Sequence, residues 1–201
     1  MAVLVIDTAT AACSVALIED GAVLAAAHEI VGRGHAERLV PMVAEVTAGH
    51  AAPARILVDC GPGSFTGVRV GLAAARAFGL GWERPVAGFS SLALIAAMTG
   101  AAEEIAVAIP GGHGELFVQA FSASREPVSP LRSLKPEDAG AAFPQRLVAG
   151  PGATALVAAR GYGEARELLP EAARATLLPD ALADLPPSPI YGRAPDAKLP
   201  A

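Results

Sequence analysis

The sequence predicts an α/β protein, in which short apolar strands alternate with helices. Three observations predict this class. The chain opens with three strand-length apolar runs that are separated by short polar connectors. Two helical patterns follow, and each is followed by another apolar run of strand length. Hydrophobic residues make up 53% of the 201 residues, which is enough for a sizeable core.

The first half of the chain shows the pattern most clearly. Strands are expected at 3–6, 14–18, 22–28, 56–58 and 86–89. Asp20 and Gly21 provide the hairpin turn between the second and third strands. Helices are expected at 36–48 and 66–81, and a third helix starts near Ser90 and ends near Gly100. Pro41 either kinks the first helix or lies just after its start.

The second half is less regular. Strands are predicted at 105–109, 116–121 and 147–149, with a helix at 153–160. Residues 125–146 are rich in proline, serine and charge and are expected to be irregular. Prolines accumulate after residue 177, so the tail should be extended, with at most a short helix. We expect two units, 1–100 and 101–201, and the sequence shows no internal repeat.

Composition narrows the possible functions. The net charge is −5 and aromatic residues are only 4%, so neither a basic face nor a base-stacking platform is expected, and any role with RNA would go through a partner. Cys13 and Cys60 are expected to be buried thiols, since no metal or redox spacing joins them. No signal peptide or membrane-length apolar run is visible, which predicts a cytoplasmic protein.

The turn after the first strand contains an acidic residue. A β-β-β-α-β-α unit with such a turn is similar to the actin-like ATPase fold (ASKHA, ribonuclease H-like), which has two lobes, each with a mixed sheet flanked by helices. There, the turn approaches phosphate. Asp7 and Thr8 are therefore candidate nucleotide contacts, and the alternative is that Asp7 caps backbone amides. The matching turn of the second half, 110–114, has no carboxylate before Glu115, which argues against an independent kinase or ATPase.

A glycine-rich turn follows the strand at 56–58. Its amides at the start of the next helix form a candidate anion site, with contacts expected from Gly61, Gly63, Ser64, Thr66, Gly67 and Arg69. The segment lacks the lysine of a phosphate-binding P-loop and the spacing of a nucleophile elbow. The alternative is a tight turn in which Ser64 or Thr66 caps the helix.

His35 and Glu37 begin the helix at 36–48. A helical metal site needs histidines four residues apart, and position 39 is leucine. No metal is therefore expected in this chain. A metalloprotease is excluded for the same reason, because no metal-binding or Ser/His/Asp arrangement is visible.

Taken together, these segments resemble the TsaB (YeaZ) family. The specific match is the run from Gly61 to Gly67 followed by Arg69, and residues 4–8, 34–41 and 88–92 support it. The resemblance implies a non-catalytic subunit that pairs with a TsaD-type enzyme in threonylcarbamoyladenosine (t6A) synthesis on tRNA. It also implies a TsaE-type ATPase partner, with ATP or ADP and metal on the partner subunits. A self-sufficient actin-like ATPase or small-molecule kinase is the alternative.

The resemblance also implies a helical partner interface, which would support a homodimer when the chain is isolated. We expect it on the helices at 36–48 and 66–81, although an apolar helix stripe can equally belong to the core. The residues expected at the interface are His35, Glu37, Leu39, Met42, Val43, Val46, Val70, Ala73, Ala74 and Ala77.

Overall fold

In the computed structural model of the chain, residues 1–192 are described, and they form two lobes. Each lobe contains a five-stranded mixed sheet flanked by helices, as predicted. No described helix is long and apolar enough to cross a membrane.

The first sheet has the order β3-β2-β1-β4-β5. Its strands are β1 Ala2–Asp7, β2 Ala12–Glu19, β3 Ala22–Ile30, β4 Arg55–Asp59 and β5 Val86–Phe89. The first three strands form antiparallel hairpins, whereas β4 and β5 run parallel to β1. The predicted turn at Asp20 and Gly21 is confirmed, and both residues have positive φ.

The second sheet repeats this topology in the order β10-β9-β6-β7-β8. Its strands are β6 Ile105–Gly112, β7 Glu115–Phe121, β8 Arg132–Leu134, β9 Leu147–Ala149 and β10 Glu164–Arg166. β7 and β8 continue antiparallel from β6, and β9 and β10 lie parallel on its other side. The chain therefore contains a structural repeat, although the two halves show no overall sequence repeat.

The α-helices of the described chain are α1 His35–Thr47, α2 Phe65–Trp82, α3 Ser91–Met98, α4 Pro136–Ala142 and α5 Ala153–Arg160. Helices α1 and α2 of the first lobe and α4 and α5 of the second occupy equivalent places, before and after the fourth strand of each sheet. Pro41 lies inside α1 rather than at its start. Ser64 is the N-cap of α2, and its hydroxyl accepts a hydrogen bond from Gly67 N at 3.2 Å.

The buried hydrophobic side chains form three clusters. One face of the first sheet packs against α1 and α2, and one face of the second packs against α4 and α5. The two remaining sheet faces enclose α3 and the 3₁₀ segment Ala172–Leu177 in a shared interlobe core. Ala172 N donates to the buried Ser14 hydroxyl, so this late segment returns to the first lobe. The predicted boundary at residue 100 stays a prediction.

Three short elements depart from the sequence prediction. The region expected to be irregular contains β8 and α4, and β10 was not predicted. These elements are short and contain charged residues, so they show neither an apolar run nor a period. The described part of the tail is mainly extended after residue 177, with one 3₁₀ turn at Asp180–Leu182, which agrees with the prediction.

Candidate functional site

Two buried carboxyl groups lie side by side at the end of the first sheet. Ile6 pairs with Val58 across the parallel strands β1 and β4, so the next residues, Asp7 and Asp59, are neighbours. Val5 and Leu57 belong to the interlobe core, and residues two positions further along a strand face the same side. Asp7 exposes 0% of its surface to solvent and Asp59 exposes 1%. The sequence analysis missed Asp59, although it follows an apolar strand just as Asp7 does.

Each carboxyl group has one oxygen in hydrogen bonds and one without a partner. Asp7 Oδ1 accepts from Ala9 N at 3.0 Å. Asp59 Oδ1 accepts from Gly61 N at 2.6 Å and from the Ser91 hydroxyl at 2.7 Å. Both Oδ2 atoms are buried and have no donor. The Asp59 contacts tie the turn after β4 to the start of α3, whereas the Asp7 contact stays within the turn after β1.

Burial disfavours ionisation of both groups. Burial, together with the charge of Asp59, raises the pKa of the Asp7 carboxyl well above its usual range. Burial also raises the pKa of Asp59 to about 7, although the hydrogen bonds from Gly61 and Ser91 oppose the rise. Burial raises the pKa of the nearby thiols too, to about 11 for Cys13 and about 12 for Cys60. Both cysteines are fully buried, as predicted.

The glycine-rich turn is pressed against the turn that contains Asp7. A Cβ atom on Gly63 would lie 2.1 Å from Ala9 O, and one on Gly67 would lie 2.1 Å from Thr8 O. Hydrogen bonds hold the same contact, because Ser64 N donates to Ala9 O at 2.7 Å and the Thr8 hydroxyl donates to Gly67 O at 2.7 Å. The glycines therefore allow two turns to meet backbone to backbone.

The predicted anion contacts are largely engaged within the chain. The amides of Gly61, Ser64 and Gly67 donate to Asp59, Ala9 and Ser64, respectively. The Thr66 side chain is exposed. The anion site stays a prediction, but three of its amides would have to exchange partners to bind an anion.

Arg69 is directed toward the C-terminal segment. Its guanidinium carbon lies 3.3 Å from the centroid of the Phe65 ring, and its Nη2 donates to the Tyr191 hydroxyl at 2.9 Å. Nearby, Ile190 N donates to Cys60 O at 2.8 Å, so the C-terminal segment lies along the glycine-rich turn. The sequence also resembles the tail of the family at 191–193 and 197–198, and of these positions Arg193, Ala197 and Lys198 lie outside the described residues.

The structure corrects half of the predicted interface. In α1, the side chains of Leu39, Met42, Val43 and Val46 are at most 2% exposed, because they pack against the first sheet. His35 is also buried, and its Nε2 lies 2.9 Å from Thr10 O and 3.2 Å from Ala12 O. These five residues belong to the core and cannot form a partner surface in this structure. The i, i+3, i+4 spacing identified the apolar stripe but did not show what covers it.

The other predicted interface residues lie on or near the surface. Glu37, Ala73 and Ala77 are exposed, and Val70 and Ala74 are half-buried. Val40 and Leu80 are on the outer sides of α1 and α2 and are 54% and 84% exposed. We call these outer residues of α1 and α2 the helical face; they are Glu37, Val40, Val70, Ala73, Ala74, Ala77 and Leu80.

The turn at 110–114 has no acidic residue, as the sequence shows. It continues β6 to Gly112 and closes a hairpin through His113 and Gly114, both with positive φ. No group of three or more His, Cys, Asp or Glu side chains suited to a metal occurs within residues 1–192.

The two repeated sheets and the paired strand-end turns define a two-lobed protein of the actin-like ATPase (ASKHA) fold class. A solved structure with this architecture, YeaZ from Pseudomonas aeruginosa, superposes with a TM-score of 0.81 at 30% identity, and the match covers 94% of this chain and 99% of that one. EutJ from Carboxydothermus hydrogenoformans superposes with a TM-score of 0.50 at 12% identity and supports the fold alone.

Sequence comparisons agree. A family model described as TsaD, tRNA N6-adenosine threonylcarbamoyltransferase, matches residues 27–129, just over half of the chain. The Escherichia coli protein named tRNA threonylcarbamoyladenosine biosynthesis protein TsaB is 40% identical over 58% of this chain and 53% of its own length. The Bacillus subtilis TsaB is 33% identical over 48% and 44%. The chain belongs to the TsaB/YeaZ family, and its matches span about half the length of these curated relatives.

Proposed function

We propose that this chain is a non-catalytic subunit of tRNA threonylcarbamoyladenosine biosynthesis that pairs with a TsaD-type enzyme. The names of its relatives support the pathway. The observation that carries the non-catalytic role is the contact between the turn at Asp7 and the glycine-rich turn. There, the Thr8 and Ala9 carbonyls lie against Gly67 and Gly63.

In this arrangement the glycine-rich turn is a structural joint. It fixes the start of α2 against β1 and so presents the outer side of that helix to solvent. Chemistry, nucleotide and metal are then supplied by the partner subunits, with a TsaE-type ATPase in the same complex. tRNA binds through the assembled complex, because the chain carries a net charge of −5.

The helical face supports the pairing. It is apolar or small over most of its surface, and Leu80 exposes 84% of its area. Small residues such as Ala73 and Ala77 let another helix approach closely. The same face allows the isolated chain to form a homodimer, because two copies can cover each other.

Co-purification with the TsaD-type protein of the same organism tests the proposal. We expect a complex on gel filtration and threonylcarbamoyl transfer to tRNA only when both proteins are present. Ala73→Arg with Ala77→Arg should weaken the complex at least tenfold, about 1.4 kcal/mol, because each arginine intrudes on the helical face. The matched control is Ala158→Arg, an exposed alanine on the equivalent helix α5 of the second lobe, which should leave the complex unchanged.

Two results would contradict parts of the proposal. An unaffected complex with both α2 arginines would contradict the assignment of the interface to the helical face. The other is nucleotide hydrolysis by the chain alone at ordinary kinase rates, roughly 1–100 s⁻¹. That second result would favour a self-sufficient ATPase or kinase.

A further inference from the structure

We infer that Asp7 and Asp59 share a proton in the folded chain at neutral pH and thereby form a pH-sensitive lock between the turns after β1 and β4. The two carboxyl groups are neighbours on parallel strands, which are spaced about 4.8 Å apart. Each group also leaves one buried oxygen without a donor. If both were ionised, two adjacent anions and two unsatisfied acceptors would be buried together.

A single proton satisfies both oxygens. It turns one Oδ2 into a donor and leaves the other as its acceptor, and it removes one of the two charges. The other oxygens keep their bonds to Ala9, Gly61 and Ser91. The Ser91 amide also donates to Gly61 O at 3.1 Å, so the pair lies at the junction of two turns and α3.

Within residues 1–192, no cation forms a hydrogen bond or ion pair with either carboxyl group. The arginines that act on the neighbouring thiols, Arg38 and Arg76, bond to Glu29 and to Pro187 O instead. Asp7 acts by its charge on the Cys13 thiol of β2, and Asp59 acts on the Cys60 thiol, and neither thiol is a cation. The His35 ring of α1 contacts the Thr10 and Ala12 carbonyls instead. Helix α3 has no charged residue.

The 3₁₀ segment contributes only Arg174, which is exposed, and Glu171 precedes it. Neither forms a hydrogen bond or ion pair with the carboxyl groups among the described residues. Release of the proton would therefore leave two uncompensated charges at the junction. The turns should then loosen, beginning with the contact between Gly63 and Ala9.

An NMR titration of the isolated chain, labelled with carbon-13 at the aspartate carboxyl carbons, tests this directly. We expect two coupled resonances that titrate in two steps, of which the last lies above neutral pH and far above the ordinary aspartate value of ~3.9. Asp7→Asn and Asp59→Asn should each remove one resonance and shift the other. Asp184→Asn is the control and should leave both unchanged.

The wild-type titration decides the matter even if a buried variant does not fold. If every aspartate ionises below about pH 5, the proton is not shared and the inference is wrong. It is also wrong if added Mg²⁺ shifts both resonances and lowers their midpoints, because the pair would then be a cation site.

Discussion

The two lobes share one topology but differ in what they bury. Both sheets have the same strand order, and in both the fourth strand leads through Gly-Pro-Gly into a helix, at Gly61–Gly63 and at Gly150–Gly152. Within residues 1–192, however, every buried polar or charged side chain belongs to the first lobe. These side chains are Asp7, Thr8, Thr10, Ser14, His35, Asp59 and Ser91.

This comparison distinguishes the contacts that both lobes share from the buried polar groups of the first lobe. The equivalent joint of the second lobe holds Gly152 N against Ala108 O at 2.9 Å, just as Ser64 N meets Ala9 O in the first. The second lobe completes this joint with apolar strand ends such as Ala149. Backbone contact at glycine is thus the shared requirement, whereas buried carboxyl groups are an added energetic cost confined to one lobe.

The largest effect is expected from a substitution in the glycine-rich turn itself. In the first lobe, Gly63→Ala places a Cβ 2.1 Å from Ala9 O, and backbone cannot move away cheaply. We expect a loss of about 3 kcal/mol or more in the free energy of unfolding. Gly152→Ala should cost less, roughly 1–2 kcal/mol, because its nearest atom, at 2.9 Å, is the flexible end of Leu116.

Urea denaturation of both variants measures the difference. Gly81→Ala is the control, because nothing lies within 4 Å of its Cβ position in α2, and it should stabilise the helix by up to about 1 kcal/mol. Equal losses at positions 63 and 152 would show that the two joints are packed alike.

The second-largest effect is expected from the buried carboxyl groups of the first lobe. The folded chain keeps a proton on the Asp7 and Asp59 pair that the unfolded chain releases, because burial raises both pKa values. The contribution of the pair to stability is therefore greatest at low pH, and it falls as pH rises from about 4, the unfolded value, to about 7 for Asp59 and further as Asp7 loses its proton. The expected slope is about 1.4 kcal/mol per pH unit for each proton retained.

Denaturation series at several pH values measure this slope. In the double variant Asp7→Asn with Asp59→Asn, the contribution of the pair should disappear, so that the variant gains stability relative to the wild type as pH rises. Parallel curves for the two proteins would mean that the pair ionises normally.

The smallest effect concerns the C-terminal segment. Tyr191→Phe removes the hydroxyl that accepts from Arg69 but leaves the ring near Phe65. Because the bond is exposed, we expect a loss of about 0.5 kcal/mol in the free energy of unfolding. Tyr162→Phe is the control, since that ring is similarly exposed and its hydroxyl has no hydrogen bond among the described residues. A loss above about 2 kcal/mol would mean that the segment is a main stabiliser of the first lobe.

The fold could be predicted where local signals were strong. The apolar runs of β1 to β7 and the helical spacing of α1 and α2 specify their type, because burial on one or two faces imposes a period. The short strands β8 and β10 and the helix α4 could not be recognised, because each is short and contains charged residues, whereas the equally short β9 is an apolar run and was predicted.

The candidate site was predicted less completely. Asp7 and the glycine-rich turn are visible in the sequence, but the assignment of Leu39 and Met42 to a partner surface was wrong. A periodic stripe shows that one side of a helix is apolar, and only the packing of α1 against the first sheet shows that this chain itself covers it.

By itself, the sequence determined the strand and helix pattern, the family motif and the tight turn at 61–67, because these depend on residues close together in the chain. The tertiary structure alone decided that Asp59 lies beside Asp7, that Gly63 and Gly67 meet the carbonyls of Ala9 and Thr8, and that one topology occurs twice. Strand register and backbone contact set these relations between distant segments, and a local pattern carries no information about them.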